Sequence, residues 1–201
     1  MLGNILFKRY LENNQWAKNA LGPEEQNKFQ ALSDLFEKYS RQYDFDFLMI
    51  AALAYQESQM DHSRKSHVGA IGIMQILPST ATDKNVDIPN IEELENNIHA
   101  GTKYLRFLRD RYFSDPAIDE LNQNQLAFAA YNAGPAKIRR MRTETGKAGL
   151  DPNIWFGNVE IVIAKKIGRE TVQYVSNIYK YYIAYRLTHD KSLAMQKQNQ
   201  N

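Results

Sequence analysis

The sequence predicts a single, mainly α domain, and three observations carry that prediction. Apolar residues recur at helical spacing along most of the chain. The 201 residues, 43% hydrophobic and 24% charged, suffice for one well-packed core, and no internal repeat or linker divides them. Only HSRKSHVGAIGIMQIL, at 62–77, loses the helical period; with its two glycines it predicts an ordered loop or a short β-like excursion.

The elements follow in order. From Pro23 to Tyr43 the residues Phe29, Leu32, Leu35, Phe36, Tyr39 and Tyr43 recur at three and four, with Pro23 suited to a first turn. Asp44 or Asp46 is placed to cap the next helix, which begins FLMIA at Phe47 and continues as ALAYQESQMD through 52–61. Pro78 starts a short helix, PSTATDKN. Asn97 to Tyr112 is helical with Ile98, Gly101, Leu105, Leu108 and Tyr112 inward. Gln125 to Ala133 is a helix rich in small residues, with Gly134 as its C-cap. Lys137 to Arg142 forms a short basic helix, and 146–158 reads as a loop. Thr171 to Leu187 closes the fold, with Val172, Val175, Ile178, Tyr179, Tyr182, Ile183 and Arg186 along one side. The glutamine-rich tail at 191–201 is expected to fray.

Composition narrows the function classes. A net charge of +2 suits an anionic polymer as substrate but falls short of a nucleic-acid footprint, so no nucleic-acid partner is expected. Without cysteine there is no disulfide, thiolate metal site or cysteine nucleophile. No run reaches bilayer length, and MLGNILFKRYLENN lacks the pattern of an export signal. The four histidines, His62, His67, His99 and His189, lack metalloprotease spacing and read as surface or loop residues; no metal is expected. The KIRRMR run reads as a solvated helix face.

One residue stands out against this background. Ile50, Leu53, Ala54 and Glu57 share a helix face, so a carboxyl continues an apolar stripe. Helical glutamates usually turn to water or pair with a cation. The alternative is a carboxyl in an apolar cleft, its pKa raised so that it donates a proton near neutrality. The decapeptide alone leaves both open, and Asp61 is a candidate helper one turn further on.

Four segments contain residues that helix propensity would not select. They are Glu57-Ser58; SHVGAIGIMQILPST, where Gly69 and Gly72 permit close backbone approach and Gln75 offers donor and acceptor; AAYNAG at 129–134; and RETVQYV at 169–175, with Tyr174 one turn from Glu170. Taken singly, Tyr131 or Tyr174 reads as a core tyrosine. Together and in this order the segments resemble the soluble lytic transglycosylase domain family, relatives of goose-type lysozyme that cleave peptidoglycan. The pattern matches at Glu57-Ser58, Ser66, Gly69-Ala70, Gly72 to Gln75, Pro78 and Thr80. It continues at Asn97, Gly101, Tyr104-Leu105, Ala130 to Gly134, Glu170-Thr171 and Tyr174-Val175, covering roughly 45–187. Many members follow Glu-Ser with an aromatic, Asn and Pro, where this chain has Gln59-Met60-Asp61. The flanking SDLFEKYSRQYDFD and YVSNIYKYYIAYRL stretches resemble a membrane-bound branch of the family.

The resemblance implies a lysozyme-like helical domain with the small loop or β excursion beside an active-site cleft. It implies a connecting segment and packing helix over 1–43, a catalytic domain over 44–190 and a polar tail over 191–201. Members of the branch carry a solute-binding-like regulatory domain ahead of the catalytic one and an export signal, which are not in this chain. The resemblance implies a monomer acting on peptidoglycan glycan strands in the periplasm or at the periplasmic face of the outer membrane.

The implied reaction breaks the β-1,4 bond between N-acetylmuramic acid and N-acetylglucosamine without net addition of water, leaving 1,6-anhydromuramic ends. Most glycosidases need two carboxylates; here Glu57 is the one expected in the cleft, acting as acid and then as base. Ser58 would orient Glu57 or bind an acetamido group, Gln75 with Met74 beside it would line the sugar groove, and the loop with Gly72 would let the backbone approach the glycan. Tyr131 and Asn132 would position the intermediate, and Tyr174 would hydrogen-bond near Glu57. No cofactor is required.

Overall fold

The structure is a computed structural model that describes residues 20–198, with side chains as far as residue 190. The connecting segment expected at 1–43 therefore lies outside the described residues up to residue 19, as does the end of the tail beyond residue 198. The helices are α1 (Pro23–Tyr43), α2 (Phe47–Ser58), α3 (Pro78–Ala81), α4 (Leu94–Tyr112), α5 (Glu120–Ala133), α6 (Pro135–Lys147), α7 (Glu160–Lys166) and α8 (Glu170–Gln198), with a π-type turn at Trp155–Val159 before α7. Among the described residues no helix is long and apolar enough to cross a membrane.

Helix α2 is the centre of the molecule. Every residue from Leu48 to Tyr55 is buried, so it is apolar all round. Helix α1 packs on one side of it and α8 on another, while α4 and α5 pack on each other and join this core through α1 and α8. Burying side chains such as Leu48, Ile50 and Leu53 contributes about 1.5–3 kcal/mol each relative to exposure. Asp46 is the N-cap: its carboxylate accepts from the Leu48 N–H at 2.9 Å. Asp44 instead ends α1 in a left-handed conformation.

Helix α8 holds α2 at both ends. Near the start, Tyr182 donates its hydroxyl to the capping Asp46 at 2.9 Å and Arg186 adds a bond of 3.1 Å. Near the finish, Tyr174 donates to Glu57. The helix stops at Ser58 because Gln59 and Met60 both adopt positive φ. That double reversal turns the chain away before Asp61.

Residues 62–77 form the expected ordered loop, and its β character amounts to two isolated antiparallel bridges, Lys65 with Ile71 and Ile71 with Ile76. A small second core of Ile76, Ala81, Val86, Ile88, Ile91 and Ala100 lies beneath it against α4.

Several boundaries move outward from the sequence reading. Helix α5 starts five residues earlier than Gln125 because Asp119 caps it, accepting from the Asn122 N–H at 2.8 Å. Its polar opening hides from periodicity because Asn122 and Asn124 face inward, Asn122 accepting from the Trp155 N–H and Asn124 from Arg109. Pro135 begins a basic helix that runs on to Lys147, past the predicted end at Arg142. At the end of the expected loop the chain kinks at Phe156 and Gly157, where Gly157 takes positive φ, and Trp155 is fully buried. The backbone of α8 stays helical to Gln198, through most of the expected tail. Its buried face is Tyr174, Val175, Ile178 and Tyr185, one residue round from the predicted stripe, and Arg186 is exposed.

Candidate active site

An open cleft of about 380 Å3 lies where α2, α5 and α8 converge. Helix α2 supplies Gln56 and Glu57, the end of α5 supplies Asn132, and α8 supplies Glu170, Gln173, Tyr174 and Asn177. Glu57 keeps part of its surface open to the cleft, but its carboxyl is packed on most sides. Loss of hydration pushes its pKa from 4.5 up to about 7. The Tyr174 hydroxyl, which donates to it, and the charge of Arg64 pull the other way by less. Buried Tyr174 is itself held well above its ordinary pKa, first by burial and then by the neighbouring Glu57 carboxylate. It stays a donor at any ordinary pH.

Tyr131 stands beside this carboxyl and is raised for the same two reasons. Its hydroxyl donates to the Met74 carbonyl at 2.8 Å, and its ring lies 5.4 Å from that of Tyr104. Asn132 is exposed at the helix end, where its side-chain oxygen accepts from the Thr171 hydroxyl at 2.9 Å. Glu57, Asn132 and Tyr174 are thus brought to one cleft, with Tyr131 as its neighbour.

Other expected residues do a different job. Ser58 is buried and gives its hydroxyl to the Ile73 carbonyl at 2.9 Å and the Ala54 carbonyl at 3.2 Å, so it ties the loop to α2 instead of reaching a sugar. Met74 is fully buried, and its side chain fills the space that a Cβ on Gly101 would occupy. Gln75 adopts positive φ and turns its amide back, donating to the Gly72 carbonyl at 2.8 Å and the Arg64 carbonyl at 3.0 Å. Gly72 has φ +78°, and a Cβ there would lie 2.5 Å from Asn97 Nδ2. Ser58, expected to orient Glu57 or bind an acetamido group, and Gly72, Met74 and Gln75, expected at the sugar groove, fasten the loop behind the cleft. Asp61 does not join Glu57: it is exposed and accepts from the Ser63 N–H and hydroxyl, which lower its pKa.

Sequence reasoning missed three features. Glu170 is a second carboxylate in the cleft, and Gln173 and Asn177 line it too. Their spacing with Tyr174 at three, four and seven on α8 is a polar stripe, which was the available signal. Asn97, fully buried on α4, accepts from the Met74 N–H at 2.8 Å and donates to the Ile71 and Ile91 carbonyls at 2.9 Å each. His62 and His99 are half-buried and engaged, not idle surface groups: His99 lies on α4, stacked on Tyr39 and bonded to the Tyr43 hydroxyl.

A mainly α fold, a desolvated glutamate beside a tyrosine, and a loop sealed against α2 define a class of domain. The profile of the transglycosylase SLT domain matches residues 34–154, more than half of the chain, and the chain belongs to that family. Among curated relatives it is 34% identical over 161 residues to the membrane-bound lytic murein transglycosylase F of Desulfosudis oleivorans, covering 74% of this chain and 35% of that one. It is also 34% identical over 170 residues to the soluble lytic murein transglycosylase of Salmonella typhimurium, covering 78% and 23% respectively. The chain thus spans about a third or less of these relatives. Among solved structures, the 70 kDa soluble lytic transglycosylase of Escherichia coli aligns with TM-score 0.61 and 28% identity over 92% of this chain and 30% of that one. An inactive glutamate-to-glutamine variant of the lytic transglycosylase Slt of Pseudomonas aeruginosa aligns with TM-score 0.61 and 26% identity, over 78% of this chain and 24% of that one.

Proposed function

We propose that this domain is a lytic murein transglycosylase. It cleaves the β-1,4 bond between N-acetylmuramic acid and N-acetylglucosamine and closes a 1,6-anhydro ring on the muramic product. The observation that carries this reading is Glu57: a carboxyl whose pKa of about 7 leaves it available in both protonation states near neutrality. Protonated Glu57 donates to the departing glycosidic oxygen as the C1–O bond breaks. The sugar's own acetamido group stabilises the electron-poor C1. The Glu57 carboxylate then takes the proton of the muramic C6 hydroxyl as that oxygen bonds to C1, which restores the acid.

An intramolecular hydroxyl held in line has an effective molarity on the order of 10⁵ M, enough to outrun water in a sheltered site. Tyr174 fixes the carboxyl by its hydrogen bond, Asn132 presents an amide to the sugar, and Ser58, Gly72, Met74 and Gln75 support the wall from behind. The relatives' names, and the inactivity of one relative carrying glutamine for glutamate, support the assignment. The periplasm is the compartment that this substrate implies, and glycan strands are the partner.

Glu170, in the same cleft, is the observation that favours a second reading, a two-carboxylate hydrolase. Mass spectrometry of digested peptidoglycan separates them. Anhydro ends are expected, and a product with only reducing ends would replace this reading with hydrolysis.

A further inference from the structure

The loop behind the cleft is held through its main chain, one polar group at a time. The Gly72 N–H donates to the Arg64 carbonyl at 2.9 Å. Ser58 takes the Ile73 carbonyl, Asn97 the Met74 N–H, and Tyr131 the Met74 carbonyl. The remaining group, the Ile73 N–H, donates to Nδ1 of His62 at 3.3 Å. The other ring nitrogen, Nε2, lies 2.7 Å from the Glu92 carbonyl.

These two partners dictate the state of the ring. A carbonyl only accepts, so Nε2 carries the proton; an amide N–H only donates, so Nδ1 must offer its lone pair. Protonating Nδ1 would set two N–H groups head to head, on a ring packed so near Gly72 that a Cβ there would lie 2.8 Å from the same nitrogen. Both nitrogens are taken by main-chain groups. The ionisable neighbours are Asp61 and Arg64 on its own turn, Glu92 and Glu93 on the segment that supplies the carbonyl, and Glu95 in the first turn of α4. Asp61 is engaged by Ser63, Glu93 by Asn96, and Glu95 by Lys38 and Tyr39. The loop residues 71–74 carry no charge of their own.

We propose that His62 is a positioning residue for the cleft and that only its neutral imidazole keeps the loop in working register. It acts through the loop: Ile73 precedes Met74, whose carbonyl anchors Tyr131 beside Glu57. A proton on Nδ1 would release the Ile73 N–H and loosen the wall that Tyr131 rests on. This inference rests on the reading of Glu57 as the catalytic acid.

The test compares initial rates of sacculus lysis near neutral pH for wild type, His62→Ala and His62→Asn. The asparagine side-chain oxygen occupies nearly the position of Nδ1 and cannot be protonated. His62→Ala is expected to lower the neutral rate about five- to ten-fold, the worth of one lost hydrogen bond. His62→Asn, which keeps an acceptor for the Ile73 N–H, is expected to recover most of that loss. A His62→Asn variant as slow as His62→Ala overturns the proposal, as does an alanine variant with the wild-type rate. A nitrogen-15 spectrum gives a readout independent of catalysis: the proton on Nε2, the lone pair on Nδ1, and the Ile73 amide shifted in His62→Ala. The opposite tautomer overturns the proposal even if activity behaves as expected. If Glu57→Gln lyses sacculi as fast as wild type, the reading of Glu57 falls, while the spectrum still decides the state of His62.

Discussion

Glu57 and Glu144 are the same side chain pushed in opposite directions. Glu57 ends the apolar helix α2 and loses its hydration there, so its pKa rises to about 7 with only a tyrosine hydroxyl and a more distant arginine to offset the loss. Glu144 stands on α6 in water between Lys166 and Lys147, whose hydrogen bonds and charges hold its pKa down at about 2. In the proposed reaction the first carries a proton because lost hydration outweighs its distant arginine. The other is locked as an anion because the surface supplies two. A carboxylate's chemistry here is set by what packs against it, not by its place on a helix.

The largest test of that contrast is catalytic. Glu57→Gln should lower the rate of lysis by about 10²–10⁴-fold, the usual worth of a general acid–base group, whereas Glu144→Gln should leave it at the wild-type level in the same turbidity assay. Next comes stability. Between pH 4.5 and about 7 the folded protein keeps a proton on Glu57 that the unfolded chain has released. Stability present below that window is therefore lost as the pH rises through it. Glu57→Gln should be more stable than wild type by about 2–3 kcal/mol at pH 8 and nearly equal to it at pH 4, as read by denaturant midpoints. A variant that is no more stable at pH 8 would mean the carboxyl is well solvated.

Removing the tyrosine hydroxyl sharpens the same point. Tyr174 donates to the carboxylate form, so Tyr174→Phe should move the alkaline limb of the rate profile upward by about one pH unit. A limb that moves downward would show that Tyr174 favours the acid form. The smallest effect is expected at the surface. The contribution of Glu144 is present above its ordinary pKa and is lost as the pH falls toward 2. Glu144→Gln should therefore lower the melting temperature slightly at neutral pH, with no difference at pH 2, and salt should shrink the gap.

The helices were legible because apolar period and capping residues agree over most of the chain, as at Pro23–Tyr43, where both predicted ends hold. The start of α5 was not, because Asn122 and Asn124 are buried amides that look like surface residues until Trp155 and Arg109 arrive from elsewhere in the chain. At the site, Glu57 was visible on its stripe, but its bond to Tyr174 joins residues 117 positions apart, which no local pattern encodes. Ser58, Met74 and Gln75 were identified by motif, and the side chains of all three are taken up by the fold around the loop. A motif marks residues that must not change without saying whether they touch the ligand or hold what does. Asn97 and His62 support that loop from outside the strongest motifs, so only the folded geometry gives them a role.

The double hold of α8 on α2 has a consequence for length. Asp46 and Glu57 are gripped by Tyr182 and Tyr174, so the two helices measure one another. A residue inserted between 46 and 57, or between 174 and 182, would turn one grip by about 100° relative to the other, since a helix completes a turn every 3.6 residues. Between those four side chains the count of residues is itself part of the proposed active site.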